Sequence, residues 1–331
     1  MSMREQWSEE QAMDWASEQP WVVGCNFIPS TAVNQLEFWQ AETFDPETID
    51  RELGWAAGYG MNAVRVYLHD IAYEIDPKGL LERIDRFLTI ASKHGIRTMF
   101  VFFDDCWNAE SKPGPQPLPR PGVHNSGWLR SPQDSQRRWP ADLDRLKVYV
   151  QAVIDRHKDD PRIYVWDLYN EPGNSHYEDS SLVLMSSVFE WAWEIRPSQP
   201  LTVGTWFHND RLNNEQLECS DVITFHDYGF VEGLRDQIGR LRQYGRPVIC
   251  TEWLARTTGS LVQTHLPVFK AEQIACFNWG LVAGKTQTIY PWGSALASEE
   301  LDPWFHDLFF PDGKPYCAEE AAAFRELTSQ P

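Results

Sequence analysis

Eight short runs dominated by Val, Ile, Leu, Phe, Tyr and Trp recur along the chain, at residues 21–26, 62–68, 96–103, 163–170, 201–206, 221–228, 247–252 and 275–281. Turn residues or charges bound each run, as expected of buried strands. Amphipathic helical stretches separate them. Asp45-Pro46-Glu47 supplies an N-cap and a proline at the first helical position, and the helix it opens runs toward Gly58 and Gly60. Asp76-Pro77 opens the next, with Leu80, Leu81, Ile84, Phe87, Leu88 and Ala91 at helical spacing and a basic, glycine-capped end at Lys93-His94-Gly95. Leu143, Leu146, Val150, Val153 and Ile154 repeat the pattern before Asp160-Pro161 breaks it. Later helices are predicted at 180–194, 231–244, 261–274 and 319–327, with a short one at 211–217. A helix between two strands returns the chain so that the next strand lies parallel to the last. Eight such units predict an α/β fold, a parallel sheet closed as a (β/α)8 TIM barrel. An open doubly wound sheet is the rival, but the first turn, Gly24-Cys25-Asn26-Phe27-Ile28-Pro29, lacks the glycine pattern that cradles a dinucleotide. The 331 residues suit one barrel of roughly 250 residues with an insertion, so residues 1–331 are read as a single domain.

The insertion is visible. Residues 104–140 follow the third strand and carry Pro113, Pro115, Pro117, Pro119 and Pro121. Alternate prolines make a stiff, extended segment, and connections this long are usually functional or disordered. Trp107, Trp128 and Trp139 lie in it, so the segment is expected to form an ordered wall or lid over the C-terminal ends of the strands.

Charge and composition narrow the ligand. Lys and Arg number 29 against 48 Asp and Glu, a net charge of −19. A nucleic-acid partner needs basic residues to neutralise phosphates, and an anionic membrane needs the same. Neither is expected. No run of apolar residues is long enough to span a bilayer. The first ten residues contain no apolar core of a signal peptide, so the chain reads as cytoplasmic, or as secreted if it is a processed form. Six cysteines show no C-x-x-C spacing and read as reduced thiols, with no zinc site. The 16 tryptophans stand out. An acidic, Trp-rich chain fits a neutral, ring-shaped ligand such as a sugar.

Chemistry in a barrel sits at the C-terminal ends of its strands. The fourth run ends Trp166-Asp167-Leu168-Tyr169-Asn170-Glu171-Pro172 and the seventh ends Cys250-Thr251-Glu252-Trp253. Each delivers one Glu at the rim. Two carboxyl groups facing across a barrel suit glycoside hydrolysis, one protonated to help the leaving oxygen and one ionised to meet the developing positive charge.

The run ending Asn170-Glu171-Pro172 resembles the strand-four signature of glycoside hydrolase family 5, the cellulase family of the clan A barrels. The resemblance implies a retaining β-glycosidase acting on β-linked gluco-, manno- or xylo-oligosaccharides by double displacement, with no cofactor and no metal. It implies Glu171 as general acid/base and Glu252 as nucleophile, about 5–5.5 Å apart. Asn170 would bond the sugar 2-hydroxyl, and Arg65, in Asn62-Ala63-Val64-Arg65-Val66, would hold the nucleophile ionised. His226 and Tyr228 match the strand-six His-x-Tyr, and Trp279 matches the aromatic platform under the cleaved sugar. One departure is plain. The family often carries a His pair after strand three, where this chain has Phe103-Asp104-Asp105-Cys106-Trp107. Asp104 and Asp105 are expected to take sugar hydroxyls instead, with His69 and Asp70 as further rim candidates. Trp39, Trp107, Trp128, Trp139, Trp206, Trp253 and Trp292 fall near strand ends or in rim loops and are candidate sugar platforms.

Two other functions stay open on these residues. A non-catalytic sugar-binding barrel would normally have lost one of the two Glu. A lyase or aldolase would need a Schiff-base Lys or a metal cluster at the rim, and Lys285 lies just beyond the eighth run. The absent export signal and the long third loop favour exo action on short oligosaccharides. The sugar and the oligomeric state are not specified.

Overall fold

The computed structural model describes residues 5–294 and 301–329. The first four residues, on which part of the N-terminal reading rests, lie outside them. Eight strands form one sheet: β1 (Val23–Asn26), β2 (Ala63–Tyr67), β3 (Arg97–Asp104), β4 (Ile163–Asn170), β5 (Leu201–Thr202), β6 (Ile223–His226), β7 (Val248–Trp253) and β8 (Ala275–Trp279). Their order is β5-β4-β3-β2-β1-β8-β7-β6, with every neighbour parallel. The two ends meet through a parallel bridge between Thr205 and Phe225 and a bond from Thr202 Oγ1 to Val222 O. The sheet is thus a nearly closed (β/α)8 barrel, as the alternation predicts. The sixth run shortens from eight residues to Ile223–His226, and the fifth shortens most, from six to Leu201–Thr202. There the chain passes close to β6, and a Cβ at Gly204 would sit 3.0 Å from the Thr224 hydroxyl.

The expected helices form, and their ends follow their capping residues. Asp45 accepts from Thr48 N–H at the start of Pro46–Gly58, and Asp76 accepts from Gly79 N–H at the start of Pro77–Lys93. The second helix buries Leu80, Ile84, Phe87, Leu88 and Ala91 against the barrel, while Leu81 is only partly covered. The helix Glu9–Ser17 is not anticipated by the periodicity. A capping box between Ser8 and Gln11 opens it, and Trp15 packs its ring 5.3 Å from Tyr164 at the N-terminal mouth of the barrel. Among the described residues no helix is long and apolar enough to cross a membrane.

The main core lies between the strands and the surrounding helices. Trp166 is buried there, ring to ring with Phe100 and Phe102, and its indole N–H donates to Gln199. Trp39 is equally buried, stacked on Phe38 and donating to Tyr67 O. Trp139 packs partly against the same core. These two rings are structural, which corrects their reading as sugar platforms.

The long segment after β3 runs back along the rim. It pairs with itself at Asp104–Ser131 and Asn108–Leu129. Gln35 donates to Leu129 O, Asn34 to Gly127 O, and Asn125 N–H to Thr286 O. The segment is therefore a wall pinned on both sides. Trp166→Ala would leave a large void and remove an indole hydrogen bond. It is expected to cost about 3–5 kcal/mol of stability, read as a lower urea midpoint.

Candidate active site

The site is built around Arg65 in the middle of β2. Its side chain points into the barrel and is 1% exposed. The Nε and NH2 groups both reach Asp167 Oδ2, at 2.9 and 2.7 Å. NH2 also donates to Asn170 Oδ1 at 2.7 Å. NH1 lies 2.8 Å from Glu252 Oε1, 2.7 Å from the Tyr67 hydroxyl and 2.9 Å from Asn26 Oδ1. A buried guanidinium has five N–H donors and no way to lose its charge, so it collects acceptors from every strand that faces it.

Glu252 ends up with three donors. Arg65 and the Tyr67 hydroxyl share Oε1, and the Tyr228 hydroxyl donates to Oε2 at 2.8 Å. Burial, above all, pushes both phenols well above their ordinary range, so both stay protonated donors.

Glu171 follows β4 in a left-handed conformation, φ +46°, an uncommon state for a residue with a side chain. Its Oε1 lies 2.8 Å from His226 Nδ1, and its Oε2 accepts from Asn174 Nδ2 at 2.6 Å and from the Cys106 thiol at 3.1 Å. Burial raises this carboxyl, but the bond to His226 and its charge, aided by Cys106 and Asn174, outweigh burial and hold it below the usual range. One oxygen of Glu171 and one of Glu252 come within 4.8 Å of each other, with His226 Nδ1 between them. Such a trio has the residue types of a metal site. Here His226 Nδ1 is committed to Glu171, and Glu252 to a guanidinium and two phenols, so the trio is a hydrogen-bonded cluster.

Both carboxyl groups open on a cavity of about 550 Å³, a size ordinary for small-molecule sites. Asn170, Tyr228, Trp279, Asp104, Trp107 and Trp206 line it with them, as do Trp128 and Trp292. Arg65 and His226 stand behind this surface, bonded to the two carboxyls. Asn170 is locked by its neighbours: its oxygen faces Arg65, so its amide N–H points to Asp104 Oδ1 at 3.0 Å.

Four expected site residues are elsewhere, each for a stated reason. Trp253 follows Glu252, and alternate residues of a strand face opposite sides. With Glu252 turned inward, Trp253 is fully buried outside the barrel, against His265 and Phe269. His69 is fully buried as the N-cap of the helix Asp70–Ile75. Its neighbour Asp70 is spent on Arg145 and Ser131. Asp105 is also fully buried. It takes Arg137 at 2.6 Å, the Tyr169 hydroxyl at 2.6 Å and Gly173 N–H at 2.9 Å, and so braces the turn that carries Glu171.

Asn26, Tyr67, Asp167, Cys106 and Asn174 belong to the site without having been anticipated. Tyr67 had a signal, since it lies two residues beyond Arg65 and so shares its face. Asn174 reaches Glu171 from three residues along the same turn, while Asn26, Asp167 and Cys106 make contacts across strands or loops that no local spacing announces.

Residues 55–284 match the cellulase (glycosyl hydrolase family 5) family model. The chain belongs to glycosyl hydrolase family 5. Among curated proteins, it is 25% identical over 194 residues to mannan endo-1,4-beta-mannosidase 2 of Oryza sativa, covering 47% of this chain and 43% of that protein. A 116-residue stretch is 31% identical to the large envelope protein of woodchuck hepatitis B virus, over 33% of this chain and 27% of that protein. The chain thus spans less than half the length of these curated relatives. Two solved structures share the fold. A GH5_18 protein of Streptomyces cattleya, solved with GlcNAc, is 12% identical over 93% of this chain and 79% of that one, with a TM-score of 0.65. An exo-beta-1,4-mannosidase of Opitutaceae bacterium strain TAV5 is 18% identical over 93% and 59%, also with a TM-score of 0.65.

Burial pushes Asp104 up to about 7 from 3.8, against the opposing bonds of Asn170, Trp128 and Cys106. Between those two values the folded chain keeps a proton that the unfolded chain has released. This group therefore costs stability progressively as pH rises from about 4 to 7. Asp104→Asn removes that slope. The stability advantage of the native chain over the variant is expected to be largest near pH 4 and to shrink by pH 8, as read by urea denaturation at both. A difference independent of pH would contradict the assignment.

Proposed function

We propose that this chain is a retaining β-glycosidase that cleaves short β-linked oligosaccharides from their ends, with β-mannosides the first candidates among manno-, gluco- and xylo-linked substrates. The observation that carries the mechanism is the approach of the Glu171 and Glu252 carboxyl oxygens to within 4.8 Å across one cavity. Retaining enzymes hold this pair about 5–5.5 Å apart, and inverting ones about 6.5–9.5 Å to admit a water. The mannose preference is supported by the names of the rice relative and of the Opitutaceae structure.

Glu252 attacks the anomeric carbon while Glu171, ionised in the free chain and needing to take up a proton as substrate covers it, gives that proton to the departing oxygen. The glycosidic C–O bond breaks and a glycosyl ester of Glu252 forms. Glu171, now ionised, takes a proton from water, which attacks the same carbon and releases Glu252. Arg65, Tyr67 and Tyr228 hold the nucleophile's oxygens in place. Asn170 and Trp279 line the cavity beside the two carboxyls, with the indole available to pack on sugar C–H groups. Besides the two carboxyls, Asp104 and Arg130, the walls carry tryptophan, histidine and neutral polar groups, which suits a polar ring with apolar faces.

Proton NMR of an aryl β-mannoside digest is the direct test. The first sugar released is expected as the β anomer. Glu252→Ala is expected to abolish turnover and leave sugar binding. Glu171→Ala is expected to slow unactivated substrates by about 10²–10⁴-fold while sparing those with acidic leaving groups. An α product, or a native rate in Glu252→Ala, would overturn the reading. Defined manno-, cello- and xylo-oligosaccharides then rank the sugars.

A further inference from the structure

Glu171 Oε2 has an unusual neighbour. The Cys106 Sγ lies 3.1 Å from it, on the cavity wall, and the residue is 8% exposed. The thiol is aimed by its own backbone, whose N–H donates to Asp104 Oδ1 at 3.0 Å. The Asn170 amide approaches the sulfur at 3.6 Å from the other side. An amide N–H is only a donor, so the sulfur faces Asn170 as acceptor and Glu171 as donor. Burial, then the charges of Asp104 and Glu171, push the thiol well above its ordinary range, so the S–H is retained. The second donor on Oε2 is Asn174, and Oε1 is taken by His226.

We propose that Cys106 is a positioning residue for Glu171, its S–H holding Oε2 toward the cavity and favouring the ionised carboxyl that must act as base on the incoming water. The inference rests on the acid/base role proposed above for Glu171. A thiol suits this task because it is a weak donor. It supports the carboxylate while opposing the return of the proton in the next cycle less than a stronger donor would. The other charged and titratable groups facing Glu171 are His226 from β6, Tyr228 beyond it, Glu252 from β7 with Arg65 of β2 behind it, and Asp104 from β3. Arg130 and His176 line the same cavity from the loops. All of them remain when Cys106 is changed.

The experiment compares Cys106→Ala and Cys106→Ser with the native chain. The basic limb of the kcat/KM profile reports loss of the proton from the general acid. Removing one donor to the carboxylate raises that limb by about 0.5–1 pH unit in Cys106→Ala. The hydroxyl of Cys106→Ser restores the donor and brings the limb back toward its native position. Equal rate losses in both variants with no movement of the limb would reduce Cys106 to packing and overturn the proposal. Infrared spectroscopy tests the bond without turnover. The S–H stretch missing from Cys106→Ser is expected to shift to higher frequency in Glu171→Gln, and a band of Cys106 that ignores Glu171→Gln sinks the idea. If the native chain cleaves no β-glycoside, the acid/base reading fails, while the infrared comparison still decides whether Cys106 holds Glu171.

Discussion

One buried cation organises the barrel. Arg65 joins its own strand to β1 through Asn26, to β4 through Asp167 and Asn170, and to β7 through Glu252. Taking a guanidinium out of water is costly, and the cost is offset only where its N–H groups meet acceptors in good geometry. Here every N–H direction is used. Removing Arg65 would strand Asp167, a buried carboxyl already raised by burial and held down chiefly by this partner. The position of Glu252 and the orientation of the Asn170 amide both follow from the same side chain.

A second buried pair supports the other half of the site. Asp105 and Arg137 both lie in the long segment after β3, and both bond the Tyr169 hydroxyl. Asp105 also takes the N–H of Gly173, in the turn where Glu171 sits at positive φ. The uncommon backbone at Glu171 is thus held by contacts from a different loop. The same segment supplies Cys106 and Trp107 to the cavity and anchors Trp128 on Asp104. Its length serves as scaffold for the turn that carries Glu171 as well as wall for the cavity.

The net charge of −19 takes on a different meaning in this light. Asp104, Asp105, Asp167 and Asp70 are buried inside the protein, each with specific donors. They are internal struts. The surplus of tryptophan likewise divides in two. Trp107, Trp206, Trp279 and Trp292 face the cavity, whereas Trp39, Trp166 and Trp253 are core.

Strand and helix order were legible because both periods are local. A half-buried strand repeats every two residues and a helix every 3.6, so β-rich runs, Asp-Pro starts and Gly stops carry the barrel without any knowledge of contacts. The run Asn170-Glu171-Pro172 and the lone Glu252 at the end of β7 were legible for the same reason, since a strand's last residues fall at the rim. Side-chain direction near a strand end was not. Glu252 and Trp253 are adjacent, yet one faces the cavity and the other the core. Asp104 and Asp105 diverge in the same way, one lining the cavity and the other bracing the turn after β4. Nor does any spacing announce that Cys106 meets Glu171, 65 residues away. The sequence alone determined the eight strands, the helices that alternate with them, their order and the rim position of the two carboxylates, because these depend on near neighbours. Which rim residues reach the cavity was decided only by barrel closure, because burial and hydrogen-bond geometry arise between strands far apart in the chain.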